Sequence, residues 1–339
     1  MNTPPKKLGV AVVGLGIGEK HARAYLETGC CRLRWLYDLD AEKARSLAAA
    51  LPADAVAASY EAILEDPEVQ VVSIASFDDA HFGQVAAALK AGKHVFAEKP
   101  LCRSLKELQE LKQAWWSHGG GIKLYSNLVL RAAAVYRRVK ELIEAGLLGE
   151  IYAFDGDYLY GRLEKITQGW RKEVKDYSVI QGGGVHLVDL MLWLTEQRPE
   201  AATAVGNRIC SRGTEFRYAD NVSATLTFPS GLIGRITANF GCVQPHQHVV
   251  RIFGTKGTFI YDDQGPRLFM SRDPALKAER LRQAALPESK GALIPDFIQA
   301  VMTDRDFRAQ TQHEFDVISV CAAIDQALAK GGQVKVEYV

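Results

Sequence analysis

Leu8-Gly-Val-Ala-Val-Val-Gly-Leu-Gly-Ile-Gly18 is the stretch that decides the fold. Its first six residues form an apolar run of the kind a strand carries when both of its faces are buried in a parallel sheet. Glycines follow at alternate positions, Gly14, Gly16 and Gly18, and a helical pattern over 19–27 begins at once. A strand that passes into a helix through glycines lets backbone N–H groups approach a pyrophosphate, and the helix N-terminus adds partial positive charge. The spacing is one residue shorter than the usual dinucleotide fingerprint, so its context has to carry the reading.

That context lies immediately downstream. A second strand over 32–37 ends at Asp38, twenty positions beyond Gly18. A carboxylate there accepts hydrogen bonds from a ribose diol and repels a 2′-phosphate, and no Arg adjoins it. These residues point to NAD rather than NADP, with Gly14, Gly16, Ile17, Gly18 and Asp38 as cofactor contacts. The plainer alternative makes the glycines a tight turn and Asp38 the cap of the next helix.

Alternation of strand and helix continues. Helices are expected over 41–50, 80–91 and 104–117, and strands over 69–75, 94–97 and 121–125. Gly92 suits a helix C-cap, and Ser104-Leu-Lys-Glu107 reads as a capping box. The expectation is a doubly wound α/β Rossmann domain over residues 1–125. Beyond it the pattern changes. A helix over 132–145 precedes β-like runs at 151–160, 202–210, 222–228, 232–240, 249–253 and 258–261, with a helix over 184–195 among them. Pro229-Ser-Gly231 and Gly254-Thr-Lys-Gly257 read as hairpin turns, helices follow near 295–303 and 314–330, and 271–291 is polar and irregular. Residues 126–339 are thus expected to form an α+β domain on a large, mostly antiparallel open sheet. An uncovered apolar face of such a sheet would favour a homodimer or homotetramer.

Composition bounds the function. Lys plus Arg (41) balances Asp plus Glu (40), which leaves no basic field for nucleic acid. No apolar run is long enough to span a bilayer, and the polar start over 1–7 has no signal-like apolar segment. The six cysteines form no C-x-x-C motif and read as reduced thiols. A cytoplasmic protein follows by elimination. His246 and His248 lack an accompanying carboxylate or cysteine cluster, so they read as sheet-edge or interface residues, and no metal is expected. Trp115 and Trp116 read as packing residues.

Phe96-Ala-Glu-Lys-Pro100, together with the glycine turn, resembles the Gfo/Idh/MocA oxidoreductase family, to which the glucose-fructose oxidoreductases and inositol dehydrogenases belong. Ser73-Ile-Ala-Ser-Phe-Asp-Asp-Ala-His81, Ala91-Gly-Lys-His-Val-Phe-Ala-Glu-Lys-Pro-Leu101, Gly182-Gly-Gly184 with His186 and Asp189, and Phe253-Gly-Thr-Lys-Gly-Thr258 resemble family segments in family order. The resemblance implies hydride transfer between NAD and a hydroxyl-bearing carbon of a sugar-like substrate: an inositol, an aldose or a nucleotide-sugar. It places Lys99 beside substrate and nicotinamide, and assigns Ser76, His81 and Glu98 to the cofactor side.

Oxidising an alcohol removes a proton as the hydride leaves, so an acid–base pair is needed. Lys99 and His186 are the candidates, with Asp189, three residues on, as a tether for the imidazole. Many relatives carry an aspartate four residues before this histidine, where this chain has Gly182. That departure leaves open a catalytically silent NAD-binding sensor or scaffold, and an NAD-retaining glycosidase also stays possible. Asn127 and Arg131 are candidates for substrate hydroxyls or anionic groups. Trp170 and Arg171 suit a pocket wall, as do Tyr158, Tyr160 and Arg162. His81 is split between a place by the nicotinamide and packing.

Overall fold

A computed structural model describes residues 7–339; the polar start over 1–6 lies outside the described residues. The chain forms two compact units, residues 7–129 with 288–315 and 339, and residues 130–287 with 316–338.

The first unit alternates β1 (Leu8–Val13), α1 (Gly18–Glu27), β2 (Cys31–Tyr37), α2 (Ala41–Ala50), β3 (Ala53–Val56), α3 (Tyr60–Glu65), β4 (Val71–Ile74), α4 (His81–Lys90), β5 (His94–Ala97), α5 (Leu105–Trp116) and β6 (Leu124–Ser126). The strands form one parallel sheet in the order β3-β2-β1-β4-β5-β6. This is the Rossmann-like sheet the apolar runs led us to expect. The strand order reverses between β1 and β4, and ligands of such sheets bind off the strand ends at that point. Gly14, Asp38, Glu98 and Asn127 all follow the carboxyl ends of strands. Local signals act as read: Ser104 Oγ accepts from Glu107 N at 3.2 Å, Glu107 reaches back to Arg103 N at 2.7 Å, and Gly92 takes φ +73° past the end of α4.

The second unit opens with α6 (Ala134–Glu144), β7 (Ile151–Leu159) and α7 (Glu164–Thr167). A single π-helical turn, Ile180–Gly184, then leads into α8 (Val185–Thr195). There follow β8 (Ala201–Asn207), β9 (Asn221–Thr227), β10 (Ile233–Asn239), β11 (Gln247–Gly254), β12 (Thr258–Asp262), β13 (Gly265–Phe269) and β14 (Glu279–Arg280). The chain ends with α9 (Ile294–Met302), α10 (Arg308–Lys330) and β15 (Val334–Lys335). The sheet of nine strands runs β14-β13-β12-β11-β7-β10-β9-β8-β15. It is antiparallel except where β7 and β10 pair in parallel. Both expected hairpins form, joining β9 to β10 and β11 to β12.

Three differences from the sequence reading have physical causes. First, β3 and α3 were not anticipated: β3 is a short edge strand, half-exposed, and too brief to show a period. Second, residues 288–315 group with the first unit, where the sequence reading placed them with the rest of 126–339. Phe297 of α9 packs on Phe96 and Tyr125 at centroid distances of 5.5 and 6.4 Å, and Gly291 sits so close to Ala24 that no Cβ would fit. Third, the half-exposed face of the large sheet mixes polar residues with exposed apolar side chains, Val205 and Ile233 among them. Alternate residues there include Thr203, Ser223, Thr225 and Thr237, with ion pairs Asp155–Arg235 and Asp157–Arg251, both at 3.1 Å. All six cysteines are free, and the described residues include no helix long and apolar enough to cross a membrane.

Candidate active site

In the first unit the site is built on the glycine turn. Gly14 has φ +80°, and a Cβ on it would stand 2.5 Å from the Ser76 nitrogen, so the turn presses against the end of β4 in a way only glycine allows. A Cβ on Gly16 would meet only the Lys43 ammonium, at 3.9 Å, which leaves the backbone open for close approach. The α1 N-terminus carries no side-chain cap, and Ile17 is exposed. Backbone N–H groups with this geometry fit a pyrophosphate.

Asp38 lies beside this turn. Leu15 N donates to its Oδ2 at 2.6 Å and Asp40 N to its Oδ1 at 3.0 Å, while Lys43 Nζ stands 3.2 Å from Oδ2. Burial pushes this carboxyl up, but the two N–H bonds and the Lys43 charge outweigh it and hold the group below its ordinary range. The cap of α2 is Asp40, which accepts from Glu42 N and Lys43 N. Asp38 is therefore not consumed as a cap, and its Oδ1 retains capacity for a ribose hydroxyl. These residues fit an NAD adenosine end. The Lys43 ammonium was not anticipated, because five positions of sequence separate it from Asp38 and the start of α2 brings them together.

Around the Glu98-Lys99-Pro100 segment two of the expected residues make bonds within the unit. His81 is fully buried, with Nδ1 2.8 Å from the Pro100 carbonyl and Nε2 3.2 Å from the Ser76 carbonyl. The ring ties the end of β4 to the Lys99–Pro100 turn, whose peptide is cis. Asn127, expected to meet substrate, is buried, and its amide nitrogen donates to Glu98 Oε1 and the Lys290 carbonyl, both at 2.7 Å. Both amide hydrogens are spent within the unit. Glu98 also faces His21 Nε2 at 3.3 Å, and His21 in turn meets Ser73 Oγ at 3.0 Å. Burial raises Glu98, yet the His21 contact, the Lys99 charge and the Asn127 bond prevail and leave it at about 2. Glu98 is thus a fixed anion immediately before Lys99, which is half-buried. Ser76 Oγ donates to Gln84 Oε1 at 2.6 Å.

In the second unit, α8 carries His186. The helix is buried on nearly every side, not on one face. Asp189 does not serve as a tether in the way expected. It is fully buried, and both of its oxygens meet Arg131 Nε, at 2.8 and 3.0 Å, with Arg131 Nη2 at 2.6 Å from Oδ1. Arg131, expected at the substrate, is largely buried in this pair. The ring against His186 is Tyr158 of β7, stacked at a centroid distance of 6.4 Å and 23°. His248 stands edge-on to His186 at 5.9 Å and to Tyr158 at 5.2 Å, and His246 is 5.0 Å from Tyr158. β11 is an interior strand between β7 and β12, so His248 does not lie at a sheet edge; it belongs to this cluster. Its position after Pro245 gave no sign of that. The described residues include no group of three or more His, Cys, Asp or Glu able to hold a metal.

The glycines before His186 make room for two tyrosines. A Cβ on Gly183 would lie 2.7 Å from the Tyr158 Cζ, and one on Gly182 would collide with the Tyr177 hydroxyl. Trp170 and Arg171 occupy a short 3₁₀ turn with the guanidinium 4.4 Å over the indole, and Arg162 lies 5.4 Å over Tyr160. Asp325 of α10 was not anticipated. It accepts from Ser178 Oγ at 2.6 Å and Gln181 Nε2 at 2.7 Å, and so holds the start of the π turn. Burial outweighs these bonds and lifts its carboxyl to about 6.

A parallel sheet with a glycine turn and an acidic residue after its second strand, joined to a nine-stranded sheet, defines an NAD-binding oxidoreductase of two-domain type. Residues 8–123 match the family described as the oxidoreductase family with an NAD-binding Rossmann fold, and residues 136–260 match the GFO/IDH/MocA C-terminal domain. The chain belongs to the GFO/IDH/MocA family. It is 24% identical over 98% of both chains to the uncharacterized oxidoreductase YrbE of Bacillus subtilis. It is 25% identical to the myo-inositol 2-dehydrogenase of Thermotoga maritima, over 83% of this chain and 86% of that one. Among solved structures, levoglucosan dehydrogenase in complex with NADH and levoglucosan superposes with a TM-score of 0.81 at 22% identity, over 98% of this chain and 100% of that one.

Proposed function

We propose that this chain is an NAD-dependent dehydrogenase that moves a hydride between nicotinamide and a hydroxyl-bearing carbon of an inositol, an aldose or a nucleotide-linked sugar. The observation that carries the reading is the Asp38 carboxylate, fixed by the Leu15 N–H beside an open glycine turn. The activities named for the inositol and levoglucosan dehydrogenases support a polyhydroxylated substrate. Bound NAD supplies the hydride acceptor. The chain's own task is the proton. As the carbon loses hydrogen with its electron pair, the hydroxyl must lose H⁺; His186 accepts it, and the Lys99 ammonium hydrogen-bonds the oxygen and favours the alkoxide. Glu98 keeps a negative charge beside Lys99, and the Tyr158 ring lies nearly parallel to that of His186.

Asp38 favours NAD over NADP, and the apolar side chains of Val205 and Ile233 exposed on the large sheet favour a homodimer or homotetramer. The test is NADH fluorescence across inositols, aldoses and nucleotide-sugars with wild type, Lys99→Ala and His186→Ala. Both variants are expected to lose about 10²- to 10⁴-fold in turnover while still binding NAD. Equal activity in the variants would remove the assigned roles, and sugar release without net NADH would point to the glycosidase reading.

A further inference from the structure

The polar stretch over 271–291 has no part in the chemistry above, yet part of it is firmly placed. β14 pairs with β13, and just beyond it the Leu281 nitrogen donates to the Pro266 carbonyl at 3.0 Å. Val135 N, in the first turn of α6, donates to the Ala284 carbonyl at 3.1 Å. Backbone bonds thus lay residues 279–284 against α6. Between the two lies a cavity of about 460 Å³, lined by Arg138 of α6 and by Glu279, Arg280, Leu281, Arg282 and Gln283. Sites for small molecules run from about 300 to 1,000 Å³.

Three guanidinium groups line this cavity against one carboxylate. All three arginines are exposed, so a solute can reach them. Arg138 meets Glu141 Oε2 at 3.0 Å, but both side chains are open to water, where such a pair is weak. Arg280 Nη1 donates to the Gln264 carbonyl at 3.3 Å. Among the described residues no carboxylate forms an ion pair with Arg280 or Arg282, and the Arg282 guanidinium makes no hydrogen bond. Arg280 and Arg282 stand two residues apart, the spacing that puts side chains of an extended chain on one side, and both reach the cavity. Like charges held together without counter-charge favour an anion. A phosphate dianion matches the excess of positive charge, and its oxygens suit the planar forks of several guanidiniums at once. The volume leaves room beside a phosphate for a body of sugar size, and the Gln283 amide can pair one of its hydroxyls.

We propose that this cavity binds a phosphate monoester of sugar size, its dianion held by Arg280, Arg282 and Arg138. None of these residues takes part in the proposed hydride transfer, so the inference goes beyond the dehydrogenase reading and stands without it.

The test is isothermal titration calorimetry with saturating NADH, which occupies the glycine turn. Glucose 6-phosphate, glucose and inorganic phosphate are titrated at fixed ionic strength into wild type, Arg280→Ala, Arg282→Ala and Arg282→Lys. Glucose 6-phosphate is expected to bind the wild type more tightly than either other probe. Its affinity should fall as NaCl is raised, since the groups that hold it are exposed. Each alanine variant should weaken it by about 10- to 100-fold, the worth of charge-assisted hydrogen bonds from one guanidinium, and Arg282→Lys should recover part of the loss. NADH affinity unchanged in the variants checks that they fold. An affinity for glucose 6-phosphate that survives both alanine substitutions would overturn the assignment, as would the absence of binding by the wild type. Inorganic phosphate binding as tightly as the ester would overturn the place given to the sugar-sized body.

Discussion

The Leu15 amide donates to the Asp38 carboxylate at 2.6 Å, joining the glycine turn to the end of the second strand. Substituting Asp38 therefore disturbs two things at once: the proposed ribose contact and the shape of the glycine turn. Asp38→Ala should raise the KM for NAD by about tenfold or more and narrow the preference over NADP, as steady-state kinetics with both dinucleotides would show. Unchanged selectivity would remove Asp38 from the ribose.

Lys43 works in the opposite sense. Its ammonium, 3.2 Å from Asp38 Oδ2, partly cancels the charge that repels a 2′-phosphate. Lys43→Ala is expected to raise the NAD-to-NADP ratio of kcat/KM by roughly 2- to 10-fold, with little change in thermal stability, since an exposed pair contributes about 0–1 kcal/mol. A ratio that falls would show that Lys43 supports Asp38 rather than offsets it.

The Arg131–Asp189 pair is buried and makes short contacts. Removing one partner breaks this pairing and leaves the other charge buried. Arg131→Met or Asp189→Leu alone should cost about 3–5 kcal/mol, while the two together should recover most of the loss. Thermal unfolding of the two single variants and the double variant tests this; additive losses would contradict it.

Asp325 links stability to pH. Its folded value of about 6 lies above the ordinary value of 3.8, so between those points the folded protein binds more protons than the unfolded one. Stability from this group is complete below about pH 4 and falls as pH rises through 6. Replacing it with asparagine removes the dependence. The Tm of wild type relative to Asp325→Asn should therefore drop between pH 4.5 and 7 and then level off. Glu98 acts with the reverse sign: its folded value near 2 gives stability above about pH 4.5 that is lost in stronger acid.

Much of the architecture was legible because it rests on local signals. The apolar run into Gly14, the capping box at Ser104 and the turns at Pro229 and Gly254 each specify backbone geometry without distant partners. The side-chain assignments were less legible, because burial and pairing are decided by remote segments. Nothing local to Asn127 reveals that Glu98 and Lys290 engage its amide. Arg131 and Asp189, 58 positions apart, carry no sign in sequence that they meet. His246 and His248 looked peripheral because nothing in their neighbourhood reveals that β11 is an interior strand. Gly182 read as a loss, and only the coordinates reveal the tyrosine that requires it.

The Rossmann unit draws part of its core from near the end of the chain. Phe297 packs on Phe96 and Tyr125, Phe307 meets Tyr125 at 5.2 Å, and Phe315 meets Trp115 at 5.6 Å. During synthesis, then, the nucleotide-binding half cannot close its core as soon as its own six strands have left the ribosome. It waits, with aromatic surface bare, until residue 315 of 339 has emerged. An excised fragment ending at Ser126 would retain that bare surface permanently and should aggregate rather than bind nucleotide.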